Sequence, residues 1–293
     1  MNLHCVVPSV SLLVFAASLS AASAHTWVSA TGNDSTGTGT TAKPYATFQT
    51  AMNNTTAGGL ISVMGPGDYG PVSVIQSVTI DGTGGGSISF TGGEGIFVNP
   101  GAAASVVLRN LTIDGTGVGT DAIFVSSNTS TPTAFTVNVV IDGCRLEGFT
   151  QIGVGVGSIG LENVVVRNTT IVGGTLGVRT FQSSGEVPYD QVMVEHSTIQ
   201  GATSVGVFTR NGPVDIRDSV ITQSLTGIQA DTAATINVQN SNITGNTNGV
   251  CIFTASTAVI GTSTLVADNT TNIETTCGGS VQGMGGAAPS PKL

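Results

Sequence analysis

Glu195 and His196 stand side by side in V-E-H-S-T-I-Q-G at 194–201. A carboxylate beside an imidazole is material for general acid–base catalysis, because histidine titrates near neutral pH. A second group lies in T-F-Q-S-S-G-E-V-P-Y-D-Q at 180–191, which carries Glu186, Tyr189 and Asp190 directly after Arg179. Two carboxyls about 5–9.5 Å apart can break a glycosidic bond. The plainer reading of such a charged loop is a solvated surface. His25 follows Ala22-Ser23-Ala24. If a leader is cut there, the new amine and the His25 ring can chelate copper, with His196 as a distant second ligand; an ordinary cleavage site is the simpler reading.

What must position these groups is a repeat. Eight ten-residue segments align without gaps from residues 73, 106, 139, 164, 192, 214, 236 and 258; typical members are VVLRNLTIDG, VVVRNTTIVG and VMVEHSTIQG. Their third position runs Ile75, Leu108, Ile141, Val166, Val194, Ile216, Val238 and Ile260. Their eighth runs Ile80, Ile113, Leu146, Ile171, Ile199, Ile221, Ile243 and Leu265. Both columns predict inward aliphatic stacks. The sixth column is mostly small and also inward by parity, which makes Cys144 a buried, inert thiol. The fifth column holds Ser77, Asn110, Gly143, Asn168, His196, Asp218, Asn240 and Thr262. Gly, Asn, Asp and His best tolerate left-handed backbone, and inward parity breaks at this column, so it predicts a one-residue bend between two strands. A Gly-Ile or Gly-Val motif after most segments supplies a third strand. Three strands per turn of about 22 residues predict an all-β fold, a right-handed parallel β-helix of about eight or nine coils. The outward fourth column alternates in charge from Arg109 through Asp142, Arg167 and Glu195 to Arg217, which supports the alignment. His196 and Glu195 thereby acquire structural explanations that need no active site.

Composition agrees: of 293 residues 41 are Gly and only 9% are charged, with a net charge of −9. Nucleic acid is excluded as a partner by the scarcity of cations, and a polyanionic substrate is disfavoured unless a metal bridges the charges. Residues 1–24 read as a signal peptide, with an apolar run from Val6 to Ala17 and an A-x-A site. No later segment is apolar enough to span a membrane. Cys144, Cys251 and Cys277 remain after export; Cys251 and Cys277 are about one repeat apart and are the disulfide candidates.

The front of the chain, W-V-S-A-T-G-N-D-S at 27–35, A-K-P-Y-A-T-F-Q-T-A-M at 42–52 and I-S-V-M-G-P-G-D-Y-G at 61–70, resembles right-handed β-helix proteins of the pectin-lyase-like superfamily. The resemblance covers most of the mature chain and is closest to secreted bacterial members without a characterised activity. It implies a lead-in strand and a short capping helix over 25–57, a helix that Pro44 can open and whose apolar face is Phe48, Ala51 and Met52. The β-helix then fills 58–277, and 278–293 is a flexible tail. Lyases of this fold use Ca²⁺ held by clustered carboxylates with an Arg or Lys base, and its polygalacturonases use paired aspartates, a His and an Arg-x-Lys segment. This sequence carries neither set.

Two long loops, 126–138 and 180–191, flank the Gly-rich coil at 153–160 and predict a notch. Outward residues on the Gly-Ile strand include Phe97, Phe124, Gly155, Arg179 and Phe208; an exposed ring can stack on a sugar, although loops can equally bury it. The sequence therefore predicts a secreted, non-catalytic polysaccharide-binding or surface module, with Phe124, Arg179, Tyr189 and Phe208 as ligand contacts, no metal site and no cofactor. The alternative is a polysaccharide lyase or glycoside hydrolase working in the notch through Glu186, Asp190 and Arg179, and only the lyase alternative leaves room for Ca²⁺.

Overall fold

The computed structural model describes residues 23–101, 103–126, 136–157, 161–181, 190–274 and 277–283. Three parallel sheets of eleven, nine and nine strands wind into a right-handed β-helix. Each coil gives one strand to the first sheet, bends, gives a short strand to the second, turns, and gives a strand to the third.

The bend is where the sequence places it. Asn110, Gly143, Asn168, His196, Asp218 and Asn240 all have φ between 47° and 64°. Inside, identical positions stack in register. Val106, Val139, Val164, Val192 and Val214 form one column of the first sheet, and Ile113, Leu146, Ile171, Ile199 and Ile221 form the column of the second. All are buried. The sixth column is inward as expected, and its hydroxyls do more than fill space. Thr169, Ser197 and Ser219 each donate a backbone N–H to the hydroxyl one coil on, in Ser197, Ser219 and Ser241, at 3.2 Å. Each of these hydroxyls in turn donates to the carbonyl two residues back, at 2.7–2.8 Å. An internal ladder thus satisfies the N–H groups that the bend removes from the sheet.

The two terminal repeats depart from the ungapped alignment. Val72–Val74 belongs to the third sheet, Ile75 is 55% exposed, and the first-sheet strand is Val78–Asp81, paired with Ala104–Arg109. The reason is D-G-T-G-G-G at 81–86, a long glycine turn in place of a one-residue bend, so Ser77 has no left-handed role. At the other end, G-T-S-T at 261–264 inserts one residue. Val266 rather than Leu265 therefore follows Ile243 inward, and Thr262 is not left-handed.

The capping helix spans Phe48–Asn54, with Phe48, Ala51 and Met52 buried. Pro44 does not open it. Thr47 is the N-cap, accepting from the Thr50 N–H, and Asp34 Oδ1 accepts from the N–H groups of Ala46 and Thr47. The first sheet begins at Ser23 and continues through Ser280–Gln282, past the expected boundary at 277. Residues 1–22 and 284–293 lie outside the described residues. Cys251 and Cys277 are bonded, with Cα atoms 5.8 Å apart, and Cys144 is buried and free.

Candidate functional site

The site grows out of the third sheet. Its strands carry a column of Gly or Ala, then an inward aliphatic, then an outward residue. The small column is required by close approach: a Cβ on Gly206 would lie 2.7 Å from the Gly227 carbonyl oxygen and 2.6 Å from the Ile221 side chain. The outward residues stack one per coil without a shift in register: Phe97, Phe124, Gly155, Arg179, Phe208 and Gln229. The Phe97 and Phe124 rings are stacked, 6.2 Å between centroids and 20° between planes. Phe124 leans over Gly155, where a Cβ would meet its Cδ2 at 2.5 Å, so the glycine makes room for the ring. All four large side chains of this column are partly exposed.

Two residues further along each strand a second outward column holds Phe181, Arg210 and Asp231. Arg179 lies over the Phe181 ring with its guanidinium carbon 4.8 Å from the centroid, and Arg210 approaches the same ring at 5.4 Å. Arg210 Nε is 3.9 Å from Asp231 Oδ2. Among the described residues no carboxylate lies within 4.0 Å of Arg179. Burial pulls the Arg179 guanidinium below its ordinary pKa, and the more distant Asp121 carboxylate opposes this. Asp121 is shifted the other way: burial raises it, and Glu94 adds to the rise, against the Ile152 N–H that it accepts at 3.0 Å and the charge of Arg179.

Phe124, Arg179 and Phe208 are thus brought together on one face, as the sequence suggests. Glu186 and Tyr189 lie outside the described residues, as do the loop stretches 127–135 and 182–189. Asp190 requires a correction: it does not face a notch. Its side chain is 1% exposed and turned into the rod, where Oδ1 accepts the Glu162 N–H at 3.1 Å. The inward parity of Val194 and Val192, carried back two residues, explains this. His196 sits at its bend with φ 49°, its exposed ring 3.9 Å from Asp218 Oδ2. Glu195 pairs in register with Arg167 and Arg217. Sequence reasoning missed Phe181, Arg210 and Asp121; the first two were findable from the same parity, two residues after Arg179 and Phe208. Among the described residues no group of three or more His, Cys, Asp or Glu side chains can hold a metal.

The sequence profile of the family described as "Right handed beta helix region" matches residues 94–265. Among solved structures the chain is similar to pectate lyase Pel9A, at 13% identity and a TM-score of 0.51, over 89% of this chain and 76% of that one. It also aligns with a rhamnogalacturonan lyase at 12% identity and a TM-score of 0.39, over 80% of this chain and 74% of that one. The A-module of the Azotobacter vinelandii mannuronan C-5 epimerase AlgE6 aligns at 14% identity and a TM-score of 0.36, over 80% and 92%. At these identities the likeness is one of fold. No curated protein matches in sequence.

Proposed function

The chain belongs to the right-handed β-helix family, and from that premise we propose that it is a secreted, non-catalytic polysaccharide-binding protein whose ligand lies along the outer face of the third sheet. The observation that carries this reading is the outward column of Phe97, Phe124, Arg179 and Phe208, interrupted only by Gly155 and flanked by Phe181 and Arg210. The paired rings of Phe97 and Phe124 on adjacent coils, with Phe208 further along the same column, offer apolar surface on which sugar rings can pack. Arg179 supplies a fixed cation for a carboxylate on the chain. In a molecule of net charge −9 these two arginines are the local exception that admits an anionic sugar. Export is supported by the A-x-A leader and by the Cys251–Cys277 bond, which suits an oxidising compartment. Among the described residues no helix is long and apolar enough to cross a membrane.

A catalytic reading has one observation in its favour. Arg179 and the buried Asp121 are near enough to influence one another's charge and have pKa values moved in opposite directions, a feature of many acid–base sites. In that reading Arg179, its proton made easier to lose by burial, is the base of a lyase. One set of samples separates the two: purified protein incubated with a panel of neutral and uronate-bearing polysaccharides, with and without Ca²⁺, and assayed both for complex formation and for new reducing or unsaturated ends. Retained polymer without new ends supports the binding module. New ends that disappear in Arg179→Ala support the enzyme.

A further inference from the structure

A different face, the outer side of the first sheet, carries a second pattern. Its outermost column reads Asp81, Arg109, Asp142, Arg167, Glu195 and Arg217, paired rung to rung with no register shift. The corrected first coil therefore extends the charge alternation to six coils. Arg109 meets Asp81 at 2.8 Å and Arg167 meets Asp142 at 3.0 Å, yet the three arginine side chains of the ladder remain 43–45% exposed. Beside the ladder runs an apolar column, Val107, Val140, Val165 and Met193, each partly exposed on a sheet whose neighbouring outward residues are polar. Beyond it lies an uncharged column in which Asn163 donates to Asn138 at 3.1 Å.

All three columns are self-complementary about one line. Consider a two-fold axis parallel to the strands, midway between Thr136–Asp142 and Leu161–Arg167. A second copy brought face to face by that axis runs antiparallel, and each column meets itself reversed. Asp81 then faces Arg217, Arg109 faces Glu195, and Asp142 faces Arg167, so all six rungs meet the opposite sign. The same axis sets Val140 against Val165, Val107 against Met193, and Asn138 against Asn163. A ladder of alternating sign with an even number of rungs is complementary to its own reverse; an odd number would set like charges together. Centring the apolar column on that same axis is a separate condition, and it too is met.

We propose that the outer face of the first sheet is an isologous homodimer interface, formed by two antiparallel copies about this axis. The partner is a second copy of this chain because charge, apolar and amide columns all match their own reversal at once. Six coils at about 4.8 Å by five residues at about 3.3 Å make roughly 400–500 Å² per copy, below the roughly 800 Å² of standard stable interfaces. The association is therefore reversible and of about micromolar affinity or weaker. It leaves the third-sheet face free.

The test is sedimentation equilibrium of the purified full chain from about 1 µM to about 1 mM, at low and high salt. The expected result is a mass that rises from one chain to two, with weaker association at high salt. Arg109→Glu sets a carboxylate against Glu195 of the second copy on both sides of the axis and weakens the dimer about tenfold or more. Adding Glu195→Arg restores it, because the reversed ladder is again complementary while the alternation within each chain is lost. Val140→Glu, at a partly exposed outward position, abolishes the dimer while circular dichroism remains native, and this holds the test open if the double variant fails to fold. A chain that stays monomeric throughout, or a dimer unmoved by Arg109→Glu and Val140→Glu, overturns the proposal.

Discussion

The guanidinium of Arg179 lies over the ring of Phe181 at 4.8 Å, on the face where the outward column of the third sheet runs. Arg210 shares that ring from the next coil at 5.4 Å. One aromatic ring thus fixes two cations that otherwise have long, mobile side chains. Phe181→Ala is expected to weaken polysaccharide binding about two- to fivefold, the equivalent of about 0.5–1 kcal/mol of cation–π contact, while the melting temperature changes little. Titration calorimetry paired with a thermal melt reads both quantities. A melt that collapses together with the binding would mean that Phe181 is a packing residue alone.

The internal hydroxyl ladder makes a prediction about stability. Ser219 accepts the Ser197 N–H and donates to the Arg217 carbonyl, and it is buried. Ser219→Ala leaves both backbone groups without that partner, at a cost of about 1–3 kcal/mol. Urea denaturation of the variant is expected to show a lower midpoint with an unchanged slope. An unchanged midpoint would mean that water or backbone movement replaces the hydroxyl.

Acid response separates the carboxylates by sign. Asp142 is held below the ordinary carboxylate range, first by the Asn168 side-chain hydrogen bond and also by Arg167, against desolvation. Burial pushes Asp81 up, but hydrogen bonds from Thr83, Arg109 and Asn110 together outweigh it and the net shift is down. Groups lowered in the fold stabilise it above about pH 4 and lose that contribution as pH falls through their lowered values. Asp121 is raised, so its effect is favourable at low pH and fades as pH rises from about 4 through its raised value. Asp142→Asn is therefore expected to destabilise at pH 7 and to approach wild type only as pH falls below about 4 and through the lowered value of Asp142. Asp121→Asn, which keeps the acceptor for the Ile152 N–H, is expected to stabilise at pH 7 and to lose that advantage in acid. Denaturation curves at several pH values check both; the same sign for the two variants would contradict these assignments.

The cysteines should divide cleanly. Burial pushes the Cys144 thiol up to about 11, so in the chain from His25 onward, which lacks Cys5, an alkylating reagent at pH 8 should leave the native, unreduced protein unlabelled, and unfolding without reductant should add one label, seen by mass spectrometry. Breaking the Cys251–Cys277 bond, which closes a separation of 26 residues, should lower stability by about 3 kcal/mol. Rapid native labelling of Cys144 would show that the second-sheet wall opens readily.

Much of the fold is legible because each coil repeats the same constraints. Left-handed backbone admits few residue types, so Asn110, Gly143, Asn168, His196, Asp218 and Asn240 mark the bend and fix the phase of every neighbouring column. The same phase turns His196 and Glu195 from a suspected dyad into a bend residue and a charge rung. The first coil misled because its bend is the four residues G-T-G-G at 82–85, and an ungapped alignment then matches Ile75 where Ile80 belongs. Asp190 misled because a carboxylate after a polar loop suggests solvent, whereas strand parity turns it inward beside Glu162. The ligand face was partly legible: Phe124, Arg179 and Phe208 follow from parity, but the shared ring at Phe181 depends on side-chain directions that the pattern does not encode.

The central claim is that the third-sheet column holds the polysaccharide, and calorimetric titration of a bound polysaccharide into wild type and three variants tests it most directly. The account predicts that Phe208→Ala and Arg179→Ala each weaken binding about tenfold or more, while Thr222→Ala, on the outer face of the second sheet, leaves it unchanged. Equal affinity for wild type, Phe208→Ala and Arg179→Ala would contradict it.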